Sequence, residues 1–285
     1  MSKFRTYLQL VTFSHSVFAL PFALLSMIVA AKGLPESRII ILIIVSMISA
    51  RTAAMAFNRF ADAKIDALNP RTKSRHLPSG KISKTEVLII IIMSSIIFVT
   101  AAYLLNSLCF ILSPIALVII LLYSYSKRFT YLSHIWLGIS LGIAPIGSWI
   151  AVTGEFGIPS FLLGFAVIFW VAGFDVIYSV QDFNFDKKTG LHSLVVKLGI
   201  QKALNLSGAF HFLTVILFFI FSKVSPVGLL FMIALSMTAA LLVYEHFLVR
   251  IHLTDKINIA FFTINGIISV LLLLAGSIDI SSGLV

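Results

Sequence analysis

The residues of this chain that could do chemistry are acidic, and they form two short groups. In the first group, Asn58, Asp62 and Asp66 are spaced i, i+4, i+8. On an α-helix this spacing places the three side chains on one face, about 6 Å apart along the axis. Mg²⁺ prefers oxygen ligands, and one or two carboxylates typically hold it together with substrate phosphate oxygens. The spacing therefore predicts a site for a magnesium-bound diphosphate.

Basic residues surround the first group and could bind phosphate oxygens. Arg51 lies seven residues before Asn58, nearly on the same helical stripe. The helix should end at Asn69-Pro70, because proline disfavours helical geometry in the residue before it. The loop that follows is basic, and arginine binds phosphate through two parallel hydrogen bonds. The predicted phosphate-binding residues of this segment are Arg51, Asn58, Arg71, Lys73 and Arg75.

The second group lies at the end of another apolar run. Asp175, Asp182 and Asp186 are spaced i, i+7, i+11, again on one helical face, and Tyr178 flanks that face. A carboxylate as deep in the apolar run as Asp175 needs a cation or a proton. Lys187 follows at the helix end, where a cation also suits the helix dipole. Both groups together predict one diphosphate held between two Mg²⁺ ions.

A simpler alternative is that both groups are ordinary solvated helix ends with salt bridges. That alternative explains poorly why Arg51, Asn58 and Asp62 lie at or inside a membrane boundary, where polar side chains are costly.

The elements that must position these residues are membrane helices. Of the 285 residues, 59% are hydrophobic and 11% charged, whereas a soluble domain carries roughly 25% charged residues. A membrane helix needs about 20 apolar residues. We predict one all-α domain, residues 1–285, of about nine spans. The spans fall near 11–31, 39–57, 87–105, 108–124, 136–153, 161–180, 203–222, 226–244 and 258–277.

The net charge of +10 indicates membrane topology and not nucleic-acid binding. The basic residues concentrate in alternate connections, which is the positive-inside pattern. We expect a bacterial cell membrane protein with its N-terminus and acidic groups in the cytoplasm and its C-terminus outside.

No cleavable signal is expected. Cys109 is the single cysteine, and His15, His134 and His246 share no metal-ligand spacing, so none of these four is assigned a role.

Taken together, the motifs resemble the UbiA-type intramembrane aromatic prenyltransferase superfamily. Asn58, Asp62 and Asp66 match its first motif, and Asp182 and Asp186 match its second. The segments NPRTKSRHLPSG at 69–80, YSYSKRFTYLSHIWLG at 123–138 and FFTINGIIS at 261–269 are similar to family segments, so the likeness covers nearly the whole chain.

The resemblance implies helices arranged around a central cavity, and the Mg²⁺-dependent transfer of a prenyl group from a polyprenyl diphosphate to an aromatic acid. It implies that Arg128 lies near the aromatic acid. Tyr125 and Tyr178 are further candidates for substrate binding, because they neighbour the polar motifs and could stabilise the prenyl cation by cation–π contact. The resemblance also implies catalytic roles for Asp62, Asp66, Asp175, Asp182 and Asp186, and Mg²⁺ binding by all of these except Asp175, together with Asn58.

One departure leaves the acceptor open. Many family members have Asn-Asp at the start of the first motif, whereas this chain has Asn58-Arg59. The phrase AMAFNR is similar to a branch associated with quinone synthesis through the futalosine route. The acceptor is therefore 4-hydroxybenzoate or a dihydroxynaphthoate, for ubiquinone or menaquinone synthesis.

Two other classes of membrane protein compete with this interpretation. A transporter could use intramembrane acids, although transport sites usually lie near the bilayer midplane. A CDP-alcohol phosphotransferase also uses aspartate-rich helices and divalent metals, but its Asp-Gly-x2-Ala-Arg signature is missing here.

Overall fold

The computed structural model describes residues 18–252, 257 and 259–283, and these residues form helices without a strand. A 3₁₀ turn covers Val180–Asp182, and a π-helical segment covers Ile259–Ile264. The α-helices are α1 Leu20–Ala31, α2 Ser37–Ala61, α3 Ala63–Leu68, α4 Lys84–Leu105, α5 Ser107–Ser126, α6 Ser133–Thr153, α7 Ile158–Ser179, α8 Phe183–Thr189, α9 Leu194–Leu198, α10 Ile200–Val224, α11 Leu229–His252 and α12 Asn265–Ser282.

Eight of the nine predicted membrane spans are confirmed. In the described part of the chain, 8 helices are long and apolar enough to cross a membrane, and α1 is a shorter apolar helix. Of the first predicted span, residues 11–17 lie outside the described residues. The span predicted at 108–124 is α5, which contains Pro114 inside the helix. The protein is a multi-pass integral membrane protein.

The outer helices present apolar side chains to the surroundings. On α4, Ile89, Met93 and Ile96 are each about half exposed. A contiguous apolar surface of this kind is rare on a soluble monomer. This apolar surface is suited to contact with membrane lipid.

Helix α7 runs through the centre of the bundle and carries the second acidic group at its end. Leu163, Val167 and Trp170 on this helix are completely buried. The Trp170 ring packs edge-on against Phe22 of α1 and against Phe174, with centroids 5.1 and 5.0 Å away. Because such a packed aromatic core resists displacement, α7 is a rigid support for the acids at its end.

Glycines bring α6 unusually close to α7. A Cβ atom on Gly138 would lie 2.3 Å from the carbonyl oxygen of Ile168, and one on Gly142 would lie 2.7 Å from that of Gly164. Real side chains do not reach such distances, so only glycine allows this separation. The contact fixes the register of α6 against the helix that carries the second acidic group.

At the opposite end of the bundle, a buried carboxylate ties α12 to the start of α11. Asp279 accepts hydrogen bonds from the backbone N–H groups of Gly228 and Phe231 at 2.8 Å and of Leu230 at 3.2 Å. An acid at a helix N-terminus satisfies donors that have no partner within the helix and suits the helix dipole. Asp279 is thus a structural acid, remote from the two acidic groups.

Candidate active site

One cavity at one end of the bundle contains both predicted acidic groups. Its lining includes Asn58, Asp62 and Asp66 from the first group, and Asp175, Tyr178, Asp182 and Asp186 from the second. Helix α3 ends at Leu68 and Asn69 is extended, as the Asn-Pro sequence predicts. This break turns the basic loop back over the cavity, so that Asn69, Arg71, Thr72 and Arg75 also line it.

The two acidic helix ends are joined directly. The Arg71 guanidinium donates from Nε to Oδ1 of Asp182 at 3.0 Å and from Nη2 to Oδ2 at 2.6 Å. Asn69 donates a further hydrogen bond to Oδ1 at 3.3 Å, and Arg71 Nη1 lies 3.2 Å from the Tyr178 hydroxyl. The two groups therefore share one side of the bundle and lie within the reach of one ligand.

The other carboxylates of the cavity also face cations. Arg75 Nη1 contacts both carboxylate oxygens of Asp66, at 2.7 and 2.9 Å. Lys127 Nζ lies 3.3 Å from Asp186. Arg128 donates to Asp62 at 3.0 Å and to the Ala61 carbonyl at 2.7 Å. The site thus alternates acids that could bind a metal with bases that could bind phosphate.

Burial and neighbouring charge shift the pKa values of three groups at the membrane boundary. Burial raises the pKa of the Asp62 carboxyl, although Arg128 opposes the shift. Burial alone would lower the pKa of the Arg71 guanidinium, but the hydrogen bond and charge of Asp182 outweigh it and raise the pKa. For Lys127 burial also lowers the pKa, and the charges of Asp186 and Asp175 reverse the effect.

The donor set fits Mg²⁺ better than a softer metal. The acids and Asn58 offer only oxygen ligands, which Mg²⁺ prefers. Within the described residues, no three His, Cys, Asp or Glu side chains converge into a ready-made metal cage. Mg²⁺ needs no such cage, because it keeps several waters and binds through one or two carboxylates plus phosphate oxygens.

Four of the predicted site residues do not line the cavity. Lys73 and Lys187 are exposed, because a long cationic side chain in a polar segment is best solvated by water, and Lys187 Nζ lies over the Phe183 ring. Tyr125 supports Arg128 from outside, with the guanidinium 4.6 Å from its ring centroid. Arg51 lies inside α2, and its Nε is buried without a hydrogen-bond partner among the described residues.

Three residues in or directly behind the cavity wall were not predicted from the sequence. Lys127 precedes Arg128 in the chain, so its position beside a predicted site residue was an available signal. Asn69 was interpreted only as a helix end, yet its amide contacts Asp182. His134 was assigned nothing, but its Nδ1 lies 2.6 Å from Asp175 Oδ2. Only the packing of α6 against α7 creates that contact.

The fold and site define a class of protein: a membrane-embedded helical bundle in which two aspartate-rich helix ends and a basic loop enclose one cavity, as in prenyltransferases that work within the bilayer. The chain belongs to the UbiA prenyltransferase family, whose match covers residues 19–267. It is therefore an enzyme, a membrane prenyltransferase.

Curated relatives and solved structures agree with this assignment. The chain is 30% identical to 4-hydroxybenzoate octaprenyltransferase from Vibrio atlanticus (strain LGP32) over 254 residues, covering 87% of this chain and 88% of the relative. A relative with the same name from Haemophilus ducreyi is 30% identical over 236 residues, covering 83% of this chain and 85% of that protein.

Among solved structures, the apo UbiA homolog from Aeropyrum pernix K1 has a TM-score of 0.85 and 33% identity, covering 93% of this chain and 97% of that one. The UbiA homolog from Archaeoglobus fulgidus bound to DMAPP and Mg²⁺ has a TM-score of 0.76. Its 23% identity, over 97% of this chain and 99% of that one, supports the shared fold alone.

Proposed function

We propose that this enzyme transfers a polyprenyl group from a polyprenyl diphosphate to an aromatic acid, 4-hydroxybenzoate or a dihydroxynaphthoate, in quinone biosynthesis. The observation that carries the proposal is the convergence of both acidic groups on one cavity, joined by the Arg71–Asp182 pair. The names of the curated relatives favour 4-hydroxybenzoate. The sequence around Asn58-Arg59 keeps the dihydroxynaphthoate as the second acceptor.

The diphosphate would bind between the two acidic helix ends with Mg²⁺. Asn58, Asp62 and Asp66 would hold one ion and Asp182 and Asp186 the other, with phosphate oxygens completing each shell. Bound Mg²⁺ supplies Lewis-acid stabilisation of the departing diphosphate. The Archaeoglobus fulgidus homolog, bound to DMAPP and Mg²⁺, is consistent with this use of the fold.

The basic residues of the cavity would bind the non-bridging phosphate oxygens. Arg71, Arg75 and Lys127 now donate to Asp182, Asp66 and Asp186. Divalent ions at these carboxylates would neutralise them and leave the cationic donors available for phosphate. The planar guanidinium of an arginine can bind two phosphate oxygens at once, whereas the ammonium of a lysine binds as a compact positive charge.

Departure of the diphosphate leaves a carbocation-like prenyl group that water would trap, so the cavity must be dry at that point. Tyr178 lines the cavity, and its ring packs against Phe261 with centroids 4.3 Å apart. An aromatic face at this position can stabilise the cation. The apolar helices offer the prenyl tail a path along the bundle and into lipid.

Two arginines are candidates for the carboxylate of the aromatic acid. Arg128 lines the cavity and contacts Asp62. Arg51 lies deeper, where a buried guanidinium whose Nε has no partner among the described residues requires an anion. We assign binding of the acceptor's carboxylate to these two arginines, and kinetic measurements on variants of each can separate their roles.

The charge pattern supports an orientation with the N-terminus and the acidic cavity in the cytoplasm and the C-terminus outside, and the bacterial relatives support a location in the bacterial cell membrane. Polyprenyl diphosphates can then enter from the bilayer, while the polar acceptor arrives from the aqueous side.

The test is transfer of a labelled polyprenyl group by purified protein in detergent or liposomes, with a panel of aromatic acids and product identified by mass. We expect a C-prenylated 4-hydroxybenzoate or dihydroxynaphthoate, formed about 10²–10³-fold more slowly by the Asp182→Asn variant. Hydrolysis of the diphosphate without any aromatic product would refute the proposed function.

A further inference from the structure

Asp175 and His134 form a hydrogen-bonded pair at the wall of the cavity. The proposed binding of Mg²⁺ and diphosphate does not use this pair. Asp175 lines the cavity, whereas the His134 side chain is completely buried behind it. The two groups meet at 2.6 Å, from Nδ1 of His134 to Oδ2 of Asp175. This pair is the starting point of an inference that rests on the proposed function and deepens it.

The hydrogen bonds around His134 define which ring nitrogen carries the proton. The backbone N–H of Leu194, at the start of α9, lies 3.4 Å from Nε2 and can only donate. Nε2 must then accept, so the ring proton is on Nδ1 and is donated to Asp175. A histidine held at both nitrogens has a fixed orientation, as in carboxylate–histidine pairs that support metal ligands.

Asp175 differs from the other four acids of the cavity in its partner. In the ion pairs that the described residues form, Asp62, Asp66, Asp182 and Asp186 each contact an arginine or lysine. Asp175 instead contacts an imidazole. A cation in direct contact with a carboxylate opposes its protonation, and Asp175 has no such contact in these ion pairs.

Other ionisable groups near Asp175 are Tyr123 and Lys127, which also line the cavity and interact with it electrostatically. Among the described residues, the side-chain hydrogen bond to Asp175 comes from His134 and not from either of these two. That contact therefore defines the direction of the carboxylate. His134 binds Oδ2 of Asp175 and leaves Oδ1 unbound by the histidine.

The close approach of α6 and α7 builds this pair. His134 lies one turn before Gly138, and Asp175 lies about two turns beyond Ile168, the residue whose carbonyl oxygen Gly138 contacts. A larger residue at 138 would separate the helices and lengthen the contact between His134 and Asp175. The glycine, the histidine and the aspartate therefore act as one structural unit.

We propose that Asp175 accepts the ring proton released during prenyl transfer, and that His134 is the residue that positions it. The allylic C–O bond breaks, and the diphosphate leaves with the electron pair. A ring π pair forms the new C–C bond. The C–H bond at that carbon then breaks, its electrons restore the aromatic ring, and the proton moves to an Asp175 oxygen and later to water.

The experiment compares transfer to ring-deuterated and ordinary acceptor by the wild type and by variants of the pair. The wild type should show a rate ratio near unity, because proton loss to a well-placed base is faster than bond formation. In Asp175→Asn, kcat should fall about 10²-fold or more, as expected for a general base. The ratio should also rise clearly above unity, while binding of the prenyl diphosphate is unchanged.

Variants of His134 separate positioning from folding. His134→Leu removes the Nδ1–H donor and should lower kcat and raise the isotope ratio. In His134→Asn the amide nitrogen occupies the place of Nδ1, so this variant should recover most of kcat. Asp279→Asn, which alters a buried acid at the other end of the bundle, should leave the isotope ratio at its wild-type value.

The outcomes distinguish this inference from the proposed function. If the wild type makes no aromatic product, the proposed function fails and the inference fails with it. Two outcomes with an active wild type would refute the proton-acceptor role and leave the proposed function intact. In one, Asp175→Asn transfers at the wild-type rate; in the other, it is slow but its isotope ratio stays near unity. A His134→Asn variant no better than His134→Leu, when both bind prenyl diphosphate, would overturn the positioning role.

Discussion

Arg71 and Asp182 form a bidentate ion pair between segments 111 residues apart in the chain, with N–O distances of 3.0 and 2.6 Å. Each residue belongs to a different acidic helix end, so the pair joins both halves of the cavity. Bidentate arginine–carboxylate pairs add geometric specificity as well as energy. We infer that this contact holds the two ends together before Mg²⁺ and the diphosphate bind.

The first prediction concerns the acids of the cavity. Asp182→Asn and Asp62→Ala should each lower kcat about 10²–10³-fold, the usual cost of removing one group that stabilises transition-state charge. The measurement is polyprenyl transfer by purified protein at saturating acceptor. Glu155→Gln is the matched control, because this exposed acid lies outside the cavity. Near wild-type activity in either cavity variant would refute the metal-site assignment.

The second prediction concerns the metal. Transfer in membranes should stop after EDTA treatment and return when Mg²⁺ is added back, because the carboxylates repel a diphosphate without a divalent ion. Ca²⁺ should restore activity poorly, since it is larger and more flexible in its coordination than Mg²⁺. Transfer that persists in EDTA without added Mg²⁺ would show that the cofactor proposal is wrong.

The third prediction separates the two candidate arginines. Arg128→Ala should raise the KM for the aromatic acid more than the KM for the prenyl diphosphate. Loss of a hydrogen bond to a charged group costs about 1.5–3 kcal/mol, which corresponds to a rise of about 10–100-fold. Arg51→Gln should give the same pattern if its guanidinium binds the carboxylate.

A neutral acceptor analogue, in which an amide replaces the carboxylate, provides the control for both arginine variants. An arginine that binds the acid should make little difference to the use of this analogue. Equal effects of Arg128→Ala on both substrates would exclude its role in acceptor binding.

Local sequence patterns explain why much of the fold and part of the site could be predicted. Apolar runs of membrane length and the Asn69-Pro70 helix end are local properties, and both agree with the structure. Both acidic groups line the same cavity, and each lies at a span end, which is also a local property of the sequence. The prediction that each acidic group lies along one continuous helix was wrong, because Asp62 separates α2 from α3 and Asp182 ends a 3₁₀ turn between α7 and α8.

Contacts between helices were not predictable in the same way. His134 and Asp175 are 41 residues apart, and nothing in the spacing of either helix shows that they face each other. Lys73 and Lys187 were predicted to bind substrate because charge and proximity in sequence were the only guides available. Their direction depends on loop geometry, and both are exposed.

The fourth prediction concerns the packing that holds α6 against α7. In Gly138→Ala the new methyl group would lie 2.3 Å from the Ile168 carbonyl oxygen, a backbone atom that cannot move aside without shifting a helix. Overpacking of this kind costs about 1–3 kcal/mol. We therefore expect a lower thermal midpoint for the protein in detergent, and slower transfer because His134 moves away from Asp175.

Gly147→Ala is the matched control for Gly138→Ala. Gly147 lies on the same helix, and no neighbouring atom of the described residues would come within 4 Å of a methyl group added there. Alanine is a better helix former than glycine by about 0.5–1 kcal/mol, so this variant should melt at the wild-type temperature or slightly above it. Transfer should be unchanged, since the α6–α7 contact remains intact. If Gly138→Ala were as stable and as active as Gly147→Ala, the close approach of the two helices would have no part in positioning the His134–Asp175 pair.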